Sequence, residues 1–175
     1  MAKCRLFDGA EIYPHFNSGA TVMLSSPSNP LPVAPADVKG SVVLVADDEP
    51  AWQLLLETEL RILGYQPLLA ENGREALNRM IEQDPDVAII DLVLPELDGW
   101  HLLSELRLRG MSLPTIFYSA YWMGRGEVEH PDVVACLSKA TRTYDVYSLL
   151  PNAIRSKKRL KRRPGSAPPS TPPES

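Results

Sequence analysis

Apolar residues recur along this chain with two alternating periods. Residues 41–46, Ser-Val-Val-Leu-Val-Ala, form a short apolar run of the kind that becomes a buried strand. From residue 50 the spacing turns helical. Over 50–64, Trp52, Leu55, Leu56, Leu60 and Leu63 fall on one face, Pro50 suits the first turn and Gly64 ends the last. The alternation then repeats. Residues 66–70 predict a strand, and 73–83 a helix with Ala76, Leu77, Met80 and Ile81 inward. Residues 86–91 predict a strand apolar enough to be buried on both faces, and 98–110 a helix closed by glycine. Residues 113–120 and 131–138 predict two more strands. A closing helix follows over 143–160, in which Pro151 should introduce a kink or interruption. Five strands alternating with helices imply an α/β fold, a doubly wound parallel sheet with helices on both faces. The stretch 121–132 is atypical as a fourth helix: it holds Gly124, Gly126 and Pro131 and no apolar stripe.

The flanks read differently. Residues 1–40 predict a flexible extension and linker, rich in Pro and Ser over 25–40, with an Asp8-Gly9 hairpin signal too isolated to be stable in water. Residues 157–175 predict a basic and Pro/Ser-rich disordered tail. The domain is thus expected over 41–156. The net charge of −4 conceals this division. Residues 41–156 carry 18 acids and 9 bases, a balance of −9; residues 157–175 carry 6 bases and 1 acid, a balance of +5. Such a basic run can meet nucleic acid or an anionic membrane, but more often it is a solvated helix end. The tail is too short for a DNA-binding domain.

With 44% hydrophobic residues the chain can build a core. Cys4 and Cys136 are too few for a disulfide framework. The absence of an apolar leader or of a run of about 18 apolar residues points to a cytoplasmic protein. His15, His101 and His130 lack metal spacing, and Trp52, Trp100 and Trp122 are expected to serve packing. Cys136 reads as a small core residue.

The chemistry concentrates at the carboxyl ends of the strands, where open parallel sheets bind ligands. The first strand ends in Asp47 and Asp48, the third in Asp91, the fourth in Ser119 and the fifth in Lys139. Singly, each has an ordinary explanation, such as a helix-capping acid or a solvated lysine. Together they form a pattern. Three close carboxylates cannot all stay ionised unaided, and a hard divalent cation such as Mg²⁺ resolves the conflict. A carboxylate beside such a cation can act as a nucleophile towards phosphorus. Lys139 and Ser119 then offer partners for the phosphoryl oxygens.

At this point the residues resemble the receiver domain of two-component response regulators. The matching pieces are "VLVADDEP", "AIIDLVLPELDGW", "IFYSA" and "CLSKA", within about residues 41–156. The resemblance implies a flavodoxin-like (βα)5 fold with strand order 2-1-3-4-5. It implies Asp91 as phosphoacceptor, Ser119 as the switching hydroxyl and Lys139 as the phosphoryl-binding lysine. Mg²⁺ or Mn²⁺ would be held directly by Asp48, Asp91 and the Val93 backbone carbonyl, with Asp47 acting mostly through water. The implied activity is self-catalysed aspartyl phosphorylation, not turnover of an external substrate. The donor would be a histidine kinase or phosphotransfer protein. The output would be a downstream partner or a homodimer formed through the fourth helix, fifth strand and fifth helix.

Three departures stand out. Ala140 replaces the family's usual proline after the lysine, so that peptide is expected to be trans. Cys136 stands at the usual aromatic switch position. Val93 and Tyr121 occupy positions whose side chains influence water access, which implies slow hydrolysis of the phosphorylated form. A receiver-like scaffold that binds its partner regardless of phosphorylation is the alternative. A haloacid-dehalogenase-type phosphatase is disfavoured, because Val93 stands where that family has a second aspartate.

Overall fold

The structure is a computed structural model that describes residues 32–120 and 130–161, excepting the side chains of residues 160 and 161. Cys4, the Asp8-Gly9 hairpin, His15, Tyr121, Trp122, most of the fourth-helix stretch and the end of the basic tail lie outside it.

The predicted alternation forms. The strands are β1 (Val42–Ala46), β2 (Gln66–Ala70), β3 (Val87–Ile90), β4 (Thr115–Ser119) and β5 (Val133–Ser138). The helices are α1 (Pro50–Leu63), α2 (Gly73–Gln83), α3 (Gly99–Leu108) and α4 (Thr143–Lys161). All strand pairs are parallel, in the order β2-β1-β3-β4-β5. The period-two alternation of a strand divides the core into two layers. Val43, Val45 and Ile89 face α1 and α4, which bring Leu56, Leu60, Leu63, Val146, Tyr147, Leu150 and Ile154. Leu44, Ala46 and Ile90 face α2 and α3, which bring Leu77, Met80, Leu102, Leu103 and Leu106.

Helix ends follow local chemistry. Gly64 adopts φ +93° and its N–H closes α1 onto Arg61 and Leu60, a left-handed cap that favours glycine. The Asn72 side chain accepts from the Glu75 N–H at 2.7 Å, and Asp98 caps α3 through the N–H groups of Trp100 and His101.

Several expectations need correction. Leu55 and Ile81 are 40% and 41% exposed, because each lies at the edge of its helix's apolar stripe rather than on it. Pro151 does not interrupt α4. It forfeits one backbone donor, while Tyr147, Leu150, Ala153 and Ile154 on either side are buried against the sheet. Cys136 is only partly buried, against the α2–α3 layer.

The packed unit also begins before residue 41. Ala34 and Val38 are buried in the α1–α4 layer. The Ala34 N–H donates to the Leu63 carbonyl at 2.9 Å, and the Gly40 N–H to the Gly64 carbonyl at 2.7 Å. Asp37 takes two hydrogen bonds from Arg155, at 2.7 and 2.9 Å. The basic run is engaged as well. Lys158 reaches the Asp37 carbonyl and the Ser41 hydroxyl, both at 3.2 Å. The buried Lys157 ammonium meets Asp84 at 2.6 Å and the Pro85 carbonyl. Residues 32–40 and 157–158 thus form a cap on the amino-terminal edge of the sheet.

Candidate phosphoacceptor pocket

The register of the sheet assembles the opposite edge. Ala46 pairs with Ile90, so the residues that follow, Asp47 and Asp91, emerge side by side. Their backbones are tied into the ladder: the Asp91 N–H donates to Ala46 at 2.8 Å and the Asp47 N–H to Ala70 at 3.1 Å. Ser119 pairs with Ser138 across β4 and β5, and the next residue, Lys139, donates its N–H to the Ser119 carbonyl at 3.1 Å.

Lys139 reaches back across the edge. Its ammonium lies 2.8 Å from an oxygen of Asp47 and 2.8 Å from one of Asp91. Both acids are buried, at 2% and 6% exposure, and Asp48 is exposed at the mouth. Burial raises the Asp47 carboxyl above its ordinary range, outweighing the hydrogen bonds it receives from Lys139 and the Glu49 N–H. Burial pulls the Lys139 ammonium down, but its two carboxylate partners outweigh that and hold it above its ordinary value.

Ligand oxygens of Asp47, Asp48 and Asp91 all lie within 4.8 Å of one another. Three carboxylates against one ammonium leave two formal negative charges in a small volume. The donor set is all oxygen, with one acid open to water. That combination fits a hard divalent cation, which takes carboxylates and retains waters.

The structure therefore brings together Asp47, Asp48, Asp91 and Lys139. Ser119 is fully buried at the end of the neighbouring strand, bonded through its backbone to Lys139. The Val93 N–H donates to the other Asp91 oxygen at 3.1 Å, while its side chain faces outward, 53% exposed. No cis peptide occurs among the described residues, so Lys139–Ala140 is trans.

The loop after Asp91 is held closely. A Cβ on Gly99 would lie 2.8 Å from the Phe117 ring and 2.9 Å from the Asp91 carbonyl. A Cβ on Gly73 would fall 1.7 Å from the Leu97 carbonyl oxygen, so only glycine lets α2 start against that loop. Two α1 residues take a part at this edge that the sequence reading missed. Gln53 donates from Nε2 to the Asp47 carbonyl at 2.5 Å and to the Ala70 carbonyl at 3.1 Å, fastening the ends of β1 and β2. The Trp52 ring centroid lies 5.2 Å from the Lys139 Nζ. The available signal for Gln53 was its place three residues before Leu56 and seven before Leu60, a polar residue in line with the apolar face; Trp52 gave none beyond packing.

A five-stranded parallel sheet with this order and a lysine-bridged acidic edge defines a receiver-type α/β domain. The family model for the response regulator receiver domain matches residues 43–147, and the chain belongs to that family of two-component signalling domains. It is 40% identical over 78 residues to the probable transcriptional regulator ycf27 of Guillardia theta, covering 45% of this chain and 30% of that protein. It is 34% identical over 125 residues to the sensor histidine kinase RcsC of Escherichia coli K12, covering 69% of this chain and 13% of that one. The chain thus spans less than a third of either relative. It also resembles the response regulator TrrA of Thermotoga maritima, solved in complex with Mg²⁺–BeF. That likeness has 30% identity and a TM-score of 0.55, over 63% of this chain and 99% of that one. Among the described residues no helix is long and apolar enough to cross a membrane.

Proposed function

We propose that Asp91 accepts a phosphoryl group from a phosphohistidine on a histidine kinase or phosphotransfer protein. The observation that carries this reading is the Lys139 ammonium bridging Asp47 and Asp91, with Asp48 within reach. An Asp91 oxygen attacks phosphorus; the new O–P bond forms as the P–N bond breaks, and the imidazole nitrogen keeps the electron pair. Asp91 is oriented for this by the Val93 N–H and held in the ladder by its own N–H. Lys139 follows the charge from carboxylate to phosphoryl oxygen, and Ser119 turns its hydroxyl to a second oxygen. Asp47, Asp48 and Asp91, with the Val93 carbonyl, would hold a Mg²⁺ or Mn²⁺ ion, which supplies charge neutralisation at the transferring group. The product carries about two added negative charges and changes which partner the domain binds.

The test is labelling with acetyl phosphate or phosphoramidate, with and without Mg²⁺. The wild-type chain should gain one phosphoryl group that depends on the cation, and Asp91→Asn should gain none. Labelling that persists in Asp91→Asn overturns the assignment. Partner binding that is equal for the labelled chain and Asp91→Asn favours the phosphorylation-independent scaffold instead.

A further inference from the structure

Lys139 has a third partner besides its two acids. The indole of Trp52, in the first turn of α1, lies 5.2 Å from the ammonium, within the range of a cation–π contact. The lysine side chain is 6% exposed, so this contact acts on a largely desolvated charge, where it is strongest. The ring is itself held. Trp52 meets Tyr118 edge to face, with centroids 5.5 Å apart and planes at 89°. The Tyr118 hydroxyl donates to the Thr141 carbonyl at 2.8 Å, in the turn just after Lys139. Tyr118 immediately precedes Ser119.

The three contacts behave differently when charge enters the pocket. A cation bound by Asp47, Asp48 and Asp91 competes with Lys139 for the same carboxylate oxygens. A phosphoryl group on Asp91 replaces one of them. The indole face is neutral, does not titrate and binds no hard cation, so neither exchange takes it away as a partner.

We propose that Trp52 is a positioning residue for Lys139, keeping the ammonium aimed at the Asp91 oxygen while its carboxylate partners are taken by cation and phosphoryl group. The proposal rests on the phosphoacceptor reading of Asp91. It assigns Trp52 a role in the speed of phosphoryl transfer, not in cation binding.

The experiment compares the wild-type chain with Trp52→Leu and Trp52→Phe, each first shown by circular dichroism to be folded. The ε-methylene protons of Lys139 are followed by NMR without any phosphodonor. They should be shifted upfield by the ring current in wild type and Trp52→Phe, and not in Trp52→Leu. Mg²⁺ affinity should stay within about twofold across the three. The initial rate of phosphorylation by phosphoramidate at saturating Mg²⁺ should fall roughly fivefold in Trp52→Leu and recover largely in Trp52→Phe. A folded Trp52→Leu that is labelled at the wild-type rate, or a rate lost equally in Trp52→Phe, overturns the proposal. So does a wild-type chain whose Lys139 protons show no upfield shift. A wild-type chain that takes no phosphoryl group removes the Asp91 reading instead, and the ring-current shift then reports separately on whether the indole holds the ammonium.

Discussion

Tyr118 illustrates how a single side chain near the pocket records its surroundings. Burial is the main cause that raises its hydroxyl to about 12, and the acids Glu59, Asp145 and Asp47 add to this. Tyr65 is likewise raised to about 12, chiefly by burial. Tyr147, buried and donating to Glu59 at 2.8 Å, is raised further still. An unfolded tyrosine ionises near pH 10. Above that value the folded chain therefore keeps more protons than the unfolded one, and stability must fall as pH rises. The contribution is intact below about pH 10 and is lost through the interval up to about 12. A titration followed by absorbance at 295 nm should show Tyr65 and Tyr118 ionising late and together with unfolding. Reversible ionisation of these two near pH 10, in a chain that stays folded, would contradict the packing described.

Among elements, the start of α2 packs against the loop 92–98 with no room for a side chain at residue 73. Gly73→Ala forces its Cβ against the Leu97 carbonyl, which is backbone and cannot rotate away. The variant should lose about 1–3 kcal/mol, measured by urea unfolding, and, on the proposed reading in which the Val93 carbonyl helps to hold the cation, weaken Mg²⁺ binding. Wild-type stability would show that the loop yields freely. The strands and most helix faces were legible in the sequence for a plain reason: Val87–Ile90 is apolar throughout, and such a run has few alternatives to a central strand. The acids were legible because Asp47 and Asp91 directly follow strands and Asp48 comes one residue later. Helix edges were less so, since a step of one residue decides whether Leu55 faces the sheet or water. Residues 32–40 were misread because composition dominates such readings. Their Pro-rich character hides two small apolar anchors, Ala34 and Val38, whose partners lie far along the chain. Lys157 read as part of a solvated charge run for the same reason: Asp84 is 73 residues away. The Trp52–Lys139 pairing could not be read at all, since it depends on how far the Lys139 side chain reaches back across the sheet edge towards β1 and the start of α1.

For the molecule as a whole, the cap on the amino-terminal edge should be part of the folding unit. A chain beginning at residue 41 exposes the surface that Ala34 and Val38 cover. Val38→Ala in the full chain removes two buried methyl groups and should cost about 1–2 kcal/mol, lowering the melting midpoint by several degrees. Arg155→Ala breaks an exposed pair with Asp37 and a long hydrogen bond to Asn152, and should change it by less than about 1 kcal/mol. Equal effects of the two substitutions would mean that charge, not burial, fastens the cap. Calorimetry on the two variants distinguishes these outcomes.

Residues 32–40 and the Lys157–Lys158 part of α4 both lie on the rim remote from the carboxylates. A dye or sensor surface joined at an exposed position of this rim, such as residue 36, therefore starts out on the far side from Asp47 and Asp91. A binding measurement made from that side leaves Asp48, exposed at the mouth, turned towards the solution.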